Sequence, residues 1–191
     1  SVAAQEQVDP PDEEETIEPI LPPADETSVV ETGDTLDVLF DKLKKDPNHS
    51  TASATARMIW REWSASGSRS IDLLMSWAAK AMGTKDYAKA QDILDNVIVL
   101  APGYAEGWNR RATLYYTIDD FGRSIADIET TLAIEPRHFG ALSGLAAIMQ
   151  RFGRDEEALR AWYKVLDIYP ANQNAQKAVI ELEEKLSGSR I

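Results

Sequence analysis

Apolar residues recur along this chain at helical spacing, and the helical pattern itself repeats. Three apolar runs (Val97-Ile98-Val99-Leu100, Leu132-Ala133-Ile134 and Val165-Leu166-Asp167-Ile168) each lead into a proline, and Pro102, Pro136 and Pro170 stand 34 residues apart. With the proline as position 32, units begin at Ile71, Ala105 and Phe139. Position 4 carries Leu74, Trp108 and Leu142, position 7 Trp77, Arg111 and Leu145, and position 11 Ala81, Tyr115 and Met149. Those positions form one stripe of a helix. Small residues at positions 8 (Ala78, Ala112, Ala146) and 20 (Ala90, Ser124, Ala158) let two antiparallel helices approach closely. Position 24 (Leu94, Ile128, Trp162) fills the seam, and position 27 carries Val97, Thr131 and Val165. Turn residues part the helices at Gly83-Thr84-Lys85-Asp86, Asp119-Asp120 and Gly153-Arg154. The proline then ends the second helix, having no N–H to give to the preceding turn.

The flanks are less regular. Leu36, Leu39, Phe40 and Leu43 predict a helix from Thr35 that stops before Pro47. A second is predicted from Thr51 to Ala65, capped by Ser50 or Thr51, with Ala52, Ala56, Ile59, Trp60 and Trp63 on one face. Phe40, Leu43, Ala56 and Trp60 fit the repeat frame, but Lys44, Pro47, Trp63 and Ser68 do not. This pair is expected to be a degenerate unit capping the array, with Trp60 and Trp63 against the helix that begins at Ile71 after its N-cap Ser70. A last helix, Gln173 to Leu186, should turn Ala175, Ala178, Val179, Leu182 and Leu186 inward and its charges to water.

The 34-residue unit, with its large-small alternation and closing proline, resembles the tetratricopeptide repeat family. Arg111 in place of a large apolar residue, Ala81 and Met149 in place of an aromatic, and Asp155 where Tyr87 and Phe121 stand are departures. The resemblance implies an all-α, right-handed α-solenoid with units at 71–104, 105–138 and 139–172, a degenerate helix pair at 35–70 and a cap at 173–191. It further implies a concave channel lined by the first helix of each unit, at positions 2, 5, 9, 12 and 13. Met75, Ala79 and Met82 would make one end of it apolar and adaptable. Asn109, Thr113 and Tyr116 would offer neutral polar groups in the middle, with Asn109 satisfying the backbone of an extended peptide. Ser143, Ala147, Gln150 and Arg151 would line the far end, with Arg110 or Arg111 near, giving it a tolerance for acidic groups. Asp72, Gly83, Glu106, Thr117 and Gly140 complete the implied lining. Members of the family that grip the acidic C-termini of heat-shock chaperones use Lys, Arg and Asn there. Met75 and Ala79 stand in clamp positions, which argues against that ligand. The partner expected is a protein or peptide.

Charge alters the picture mainly at the N-terminus. The formal net charge is −12, yet residues 1–34 hold eleven acidic and no basic residues, which leaves the rest with 21 acidic against 20 basic. Residues 1–34, with five prolines, are expected to be a disordered spacer or an arm that folds over the basic end of its own array. No basic footprint for nucleic acid is present, and no apolar run approaches the length of a membrane span. The chain holds no cysteine, which suits an oxidising compartment. With Ser1 first, an exported, periplasmic protein is expected, with a cytoplasmic one as the alternative. His49 and His138, each just after a proline, have no second ligand at helical spacing, so neither a metal nor a cofactor is expected. Asn48-His49-Ser50 reads as turn and cap rather than a glycosylation site. Gly140-x-x-x-Gly144 has the spacing of a membrane helix-dimer motif but lies in a soluble repeat. Nothing matches a catalytic constellation, and the expectation is a binding scaffold, not an enzyme; a self-associating component of a cell-envelope complex or an enzyme's accessory subunit are the alternatives. Trp108 is expected to be buried between its own two helices and the preceding unit.

Overall fold

The computed structural model describes residues 32–188, which form helices with no strand among them. They are α1 (Thr32–Lys45), α2 (His49–Ser64), α3 (Arg69–Gly83), α4 (Tyr87–Leu100), α5 (Ala105–Thr117), α6 (Phe121–Ile134), α7 (Phe139–Arg151), α8 (Asp155–Ile168) and α9 (Gln173–Gly188). The arm foreseen for residues 1–34 lies outside the described residues up to position 31. Beyond it α1 has already begun, three residues before the expected Thr35.

Pairs α3–α4, α5–α6 and α7–α8 are the three units, stacked through α4 on α5 and α6 on α7, with α9 closing the row against α8. Each unit turns between its helices at position 15, where the backbone is left-handed: Lys85 has φ 60°, Asp119 59° and Gly153 68°. At position 16, Asp86 and Asp120 cap the second helix by accepting from the N–H of Lys89 (3.3 Å) and Arg123 (3.2 Å). Ala78, Ala112, Ala146, Ala90, Ser124 and Ala158 are all buried in the seams as their size requires. Arg111 is no flaw in packing. Its guanidinium spans Asp127 of its own unit (2.7 and 2.8 Å) and Asp95 of the preceding one (2.7 Å), so a junction that is apolar elsewhere is ionic here.

Three expectations fail. Trp108 is only half-buried, because its indole N–H reaches out to the carbonyl of Pro102 at 2.9 Å. α2 is capped by Asn48, and α3 by Ser68 rather than Ser70. The degenerate pair does not stack on α3. Trp60 and Trp63 instead meet His138 and Phe139, with the Trp63 ring stacked on His138 at 4.1 Å and 8°. α2 runs along the row of loops that join successive units and is fastened to three of them. His49 Nδ1 lies 3.1 Å from the carbonyl of Ala171, Trp60 and Trp63 grip His138 and Phe139, and the Tyr104 hydroxyl donates to the carbonyl of Ser64 at 2.9 Å. The physical reason is the position of the apolar surface. Phe139, Tyr169 and Ala171 leave an apolar strip along those loops, which α1 and α2 bury within one continuous core. Arg137 secures α1 from the same side, pairing with Asp37 (2.6 Å) and lying over the Phe40 ring. Among the described residues no acceptor meets the indole N–H of Trp63. That costs about 1–3 kcal/mol, which the burial and stacking of the ring must outweigh.

The first unit is left bare as a result. Positions 3, 10 and 23 are buried in the other two units (Gly107, Leu114, Asp127; Ala141, Ile148, Ala161). Their counterparts Leu73, Lys80 and Ile93 are not, and Leu73 and Trp77 are 48% and 50% exposed.

Candidate functional site

A pocket of about 310 Å³ opens between α5 and α7, with α6 behind it. Its floor and walls are Ala112, Ser124, Ile128, Gly140, Ala141, Gly144 and Ala147; Asn109, Thr113, Tyr116 and Ser143 supply the polar atoms. The room comes from what α7 lacks. Gly140 and Gly144, one turn apart on α7, both line the pocket, and the spacing that resembled a membrane dimer motif serves two separate contacts. A Cβ at Gly144 would rest 3.5 Å from Ile128 Cδ1, inside the pocket. A Cβ at Gly140 would come within 2.6 Å of the Trp60 ring. Gly140 is therefore glycine for the sake of α2, and Gly144 for the sake of the pocket.

Asn109 is held from below by a buried polar group. Glu106 and His138 are 2% and 0% exposed, with Nε2 of His138 3.2 Å from one carboxylate oxygen of Glu106. His138 Nδ1 accepts from the N–H of Ala141 (3.0 Å), so the ring proton sits on Nε2 and is given to Glu106. The same oxygen accepts from Asn109 Nδ2 (3.0 Å), and the other from Arg110 (3.1 Å). His138, read from the sequence as a turn residue, is thus the N-cap of α7 and the link from α2 to the pocket. No periodic signal marks it, since its role depends on Glu106, 32 residues away. Burial, and next the Glu106 carboxylate, hold the Tyr104 hydroxyl well above the ordinary phenol range, so it stays a donor. The two hydrogen bonds that Arg111 donates to Asp127 likewise hold its guanidinium above its ordinary range and keep it charged.

Of the channel residues expected, Asn109, Thr113, Tyr116, Gly140, Ser143 and Ala147 converge on this pocket. Met75 and Met82 lean partly buried on the smaller core of α3 and α4, with Ala79 exposed beside them. Gln150 spends its oxygen on the Trp162 indole N–H (2.9 Å). Arg151 pairs with Asp119 (3.0 Å) and lies over Phe121. Arg110, Arg111 and Arg151 each meet a carboxylate.

No protein-family model matches the chain. It is 52% identical over 155 residues to a TPR repeat-containing protein of Rhizobium etli, covering 81% of this chain and 76% of that protein. A small glutamine-rich tetratricopeptide repeat-containing protein of Saccharomyces cerevisiae is 33% identical over 100 residues, covering 52% of this chain and 28% of its own length. Among solved structures, the first TPR of Spaghetti (RPAP3) bound to the HSP90 peptide SRMEEVD superposes with a TM-score of 0.58 at 20% identity, over 61% of this chain and 93% of that one. The MamA protein superposes with 0.55 at 18% identity, over 81% and 82%.

Proposed function

Because the chain belongs to the tetratricopeptide repeat family, whose domains are protein–protein interaction modules, we propose that it is a non-catalytic scaffold holding an extended segment of a partner protein in the channel between α5 and α7. The observation that carries this reading is the pocket itself. It is apolar, about 310 Å³, and open on the side where Asn109, Thr113 and Ser143 converge. A peptide laid along it places one aliphatic side chain between Gly140 and Gly144 and its backbone against Asn109. The RPAP3 domain holds an HSP90 peptide with three acidic side chains. That ligand is not proposed here, since Arg110, Arg111 and Arg151 are already paired. The test selects heptapeptides from a displayed library on the wild type and titrates the best into wild type and Asn109→Ala. A weakening of about tenfold or more is expected from the lost polar contact; equal affinities overturn the assignment of the site.

Self-association is a second reading, favoured by the bare face of α3. Leu73 presents to water a position that the other units bury, and Trp77 beside it is half-exposed. Sedimentation should then show a dimer that Trp77→Asp dissolves. A monomer at all concentrations would remove this reading.

A further inference from the structure

The polarity of the pocket says what it will take. Asn109 is 9% exposed, and its orientation is not ambiguous, because a carboxylate only accepts and Glu106 therefore fixes Nδ2 downward. Asn109 lines the pocket, and among the described residues no hydrogen bond reaches its amide oxygen. The hydroxyls around it have given their protons away. Thr113 donates to the carbonyl of Asn109 (3.0 Å), Ser143 to that of Phe139 (2.7 Å) and Ser124 to that of Ala112 (2.8 Å). What these groups offer a guest is lone pairs. Tyr116, 38% exposed at the rim, gives or takes equally and does not discriminate.

Resting on the reading of this pocket as the guest site, we infer that it selects a hydrogen-bond donor carried on a short aliphatic body, an amide N–H above all, and rejects a carboxylate. The Asn109 oxygen, which accepts from no group among the described residues, is best met by a guest that donates. A carboxylate of the same shape sets its own lone pairs against that oxygen and loses its water, and no arginine or lysine lines the pocket to compensate it. This specificity is the reverse of an acidic-tail receptor. It arises because Glu106 and His138, tied through Trp63 to α2, hold the amide by its nitrogen.

A matched pair of small probes separates the possibilities. 3-Methylbutanamide and 3-methylbutanoate share one skeleton and differ only in the group offered to Asn109. Each is titrated at neutral pH into the full chain, following the ¹H–¹⁵N signals of the Asn109 side chain and of Gly144. The amide is expected to shift both signals with a Kd about tenfold or more below that of the acid, and Gly144→Ala, which adds a methyl group at the pocket wall, is expected to weaken the shifts. If the acid binds as well as the amide or better, the inference falls and the pocket stands as a guest site. If neither moves these signals, the assignment of the pocket falls along with it.

Discussion

At the scale of single residues, a side chain's worth here depends on whether its charge is enclosed. Glu106 is enclosed and holds His138, Asn109 and Arg110 together. Glu106→Ala strands all three, and urea denaturation should show a loss of about 3–5 kcal/mol. Arg151, exposed and paired with exposed Asp119, should cost less than about 1 kcal/mol when truncated to alanine. The left-handed turns give a prediction of opposite sign. Gly153 occupies position 15 at no steric cost, whereas Lys85 adopts φ 60° with a side chain. Lys85→Gly should therefore raise the denaturation midpoint, by up to about 1 kcal/mol, since relief of that strain exceeds the added freedom of the unfolded chain.

At the scale of elements, the two glycines of α7 look alike in sequence and should behave oppositely. Gly144→Ala adds a methyl group in ordinary contact with Ile128 and removes a helix-interior glycine. It should stabilise the fold by about 0.5–1 kcal/mol while weakening guest binding. Gly140→Ala drives into the Trp60 ring and should lower stability through displacement of α2, read as greater exposure of Trp60 by fluorescence quenching. The repeat pattern made the helices of the three units legible nearly to the residue, because helix periodicity, capping and proline stops are local. It misplaced Trp108, whose ring leaves the seam for a hydrogen bond to Pro102, a contact that no stripe of apolar positions encodes.

At the scale of the whole molecule, the stack is unevenly supported. α5 to α9 share one large core with α1 and α2, while α3 and α4 centre on the small cluster of Ala78, Ala81, Ala90, Leu94 and Leu114. In a linear array each unit draws stability from its neighbours, and the first unit here has a neighbour on one side only. Amide exchange should accordingly be faster in α3 than in α7, and exchange at equal rates would contradict this distribution of stability. Trp77→Ala, half-exposed on the bare face, should change global stability far less than Trp63→Ala, which empties a buried site worth about 3–5 kcal/mol.

The sequence by itself determined the helices and their pairing into 34-residue units, features that follow from short-range physics repeated three times, so periodicity reveals them. Six of the residues that line the pocket were named only through the resemblance to the repeat family. Only the tertiary structure decided where α1 and α2 lie, because the strip they cover is assembled from loops 34 residues apart and belongs to no single unit. The structure alone also set the pocket's polarity. Asn109 is oriented because its Nδ2 meets a Glu106 carboxylate that His138 also binds, a meeting of residues 32 positions apart that no local pattern encodes.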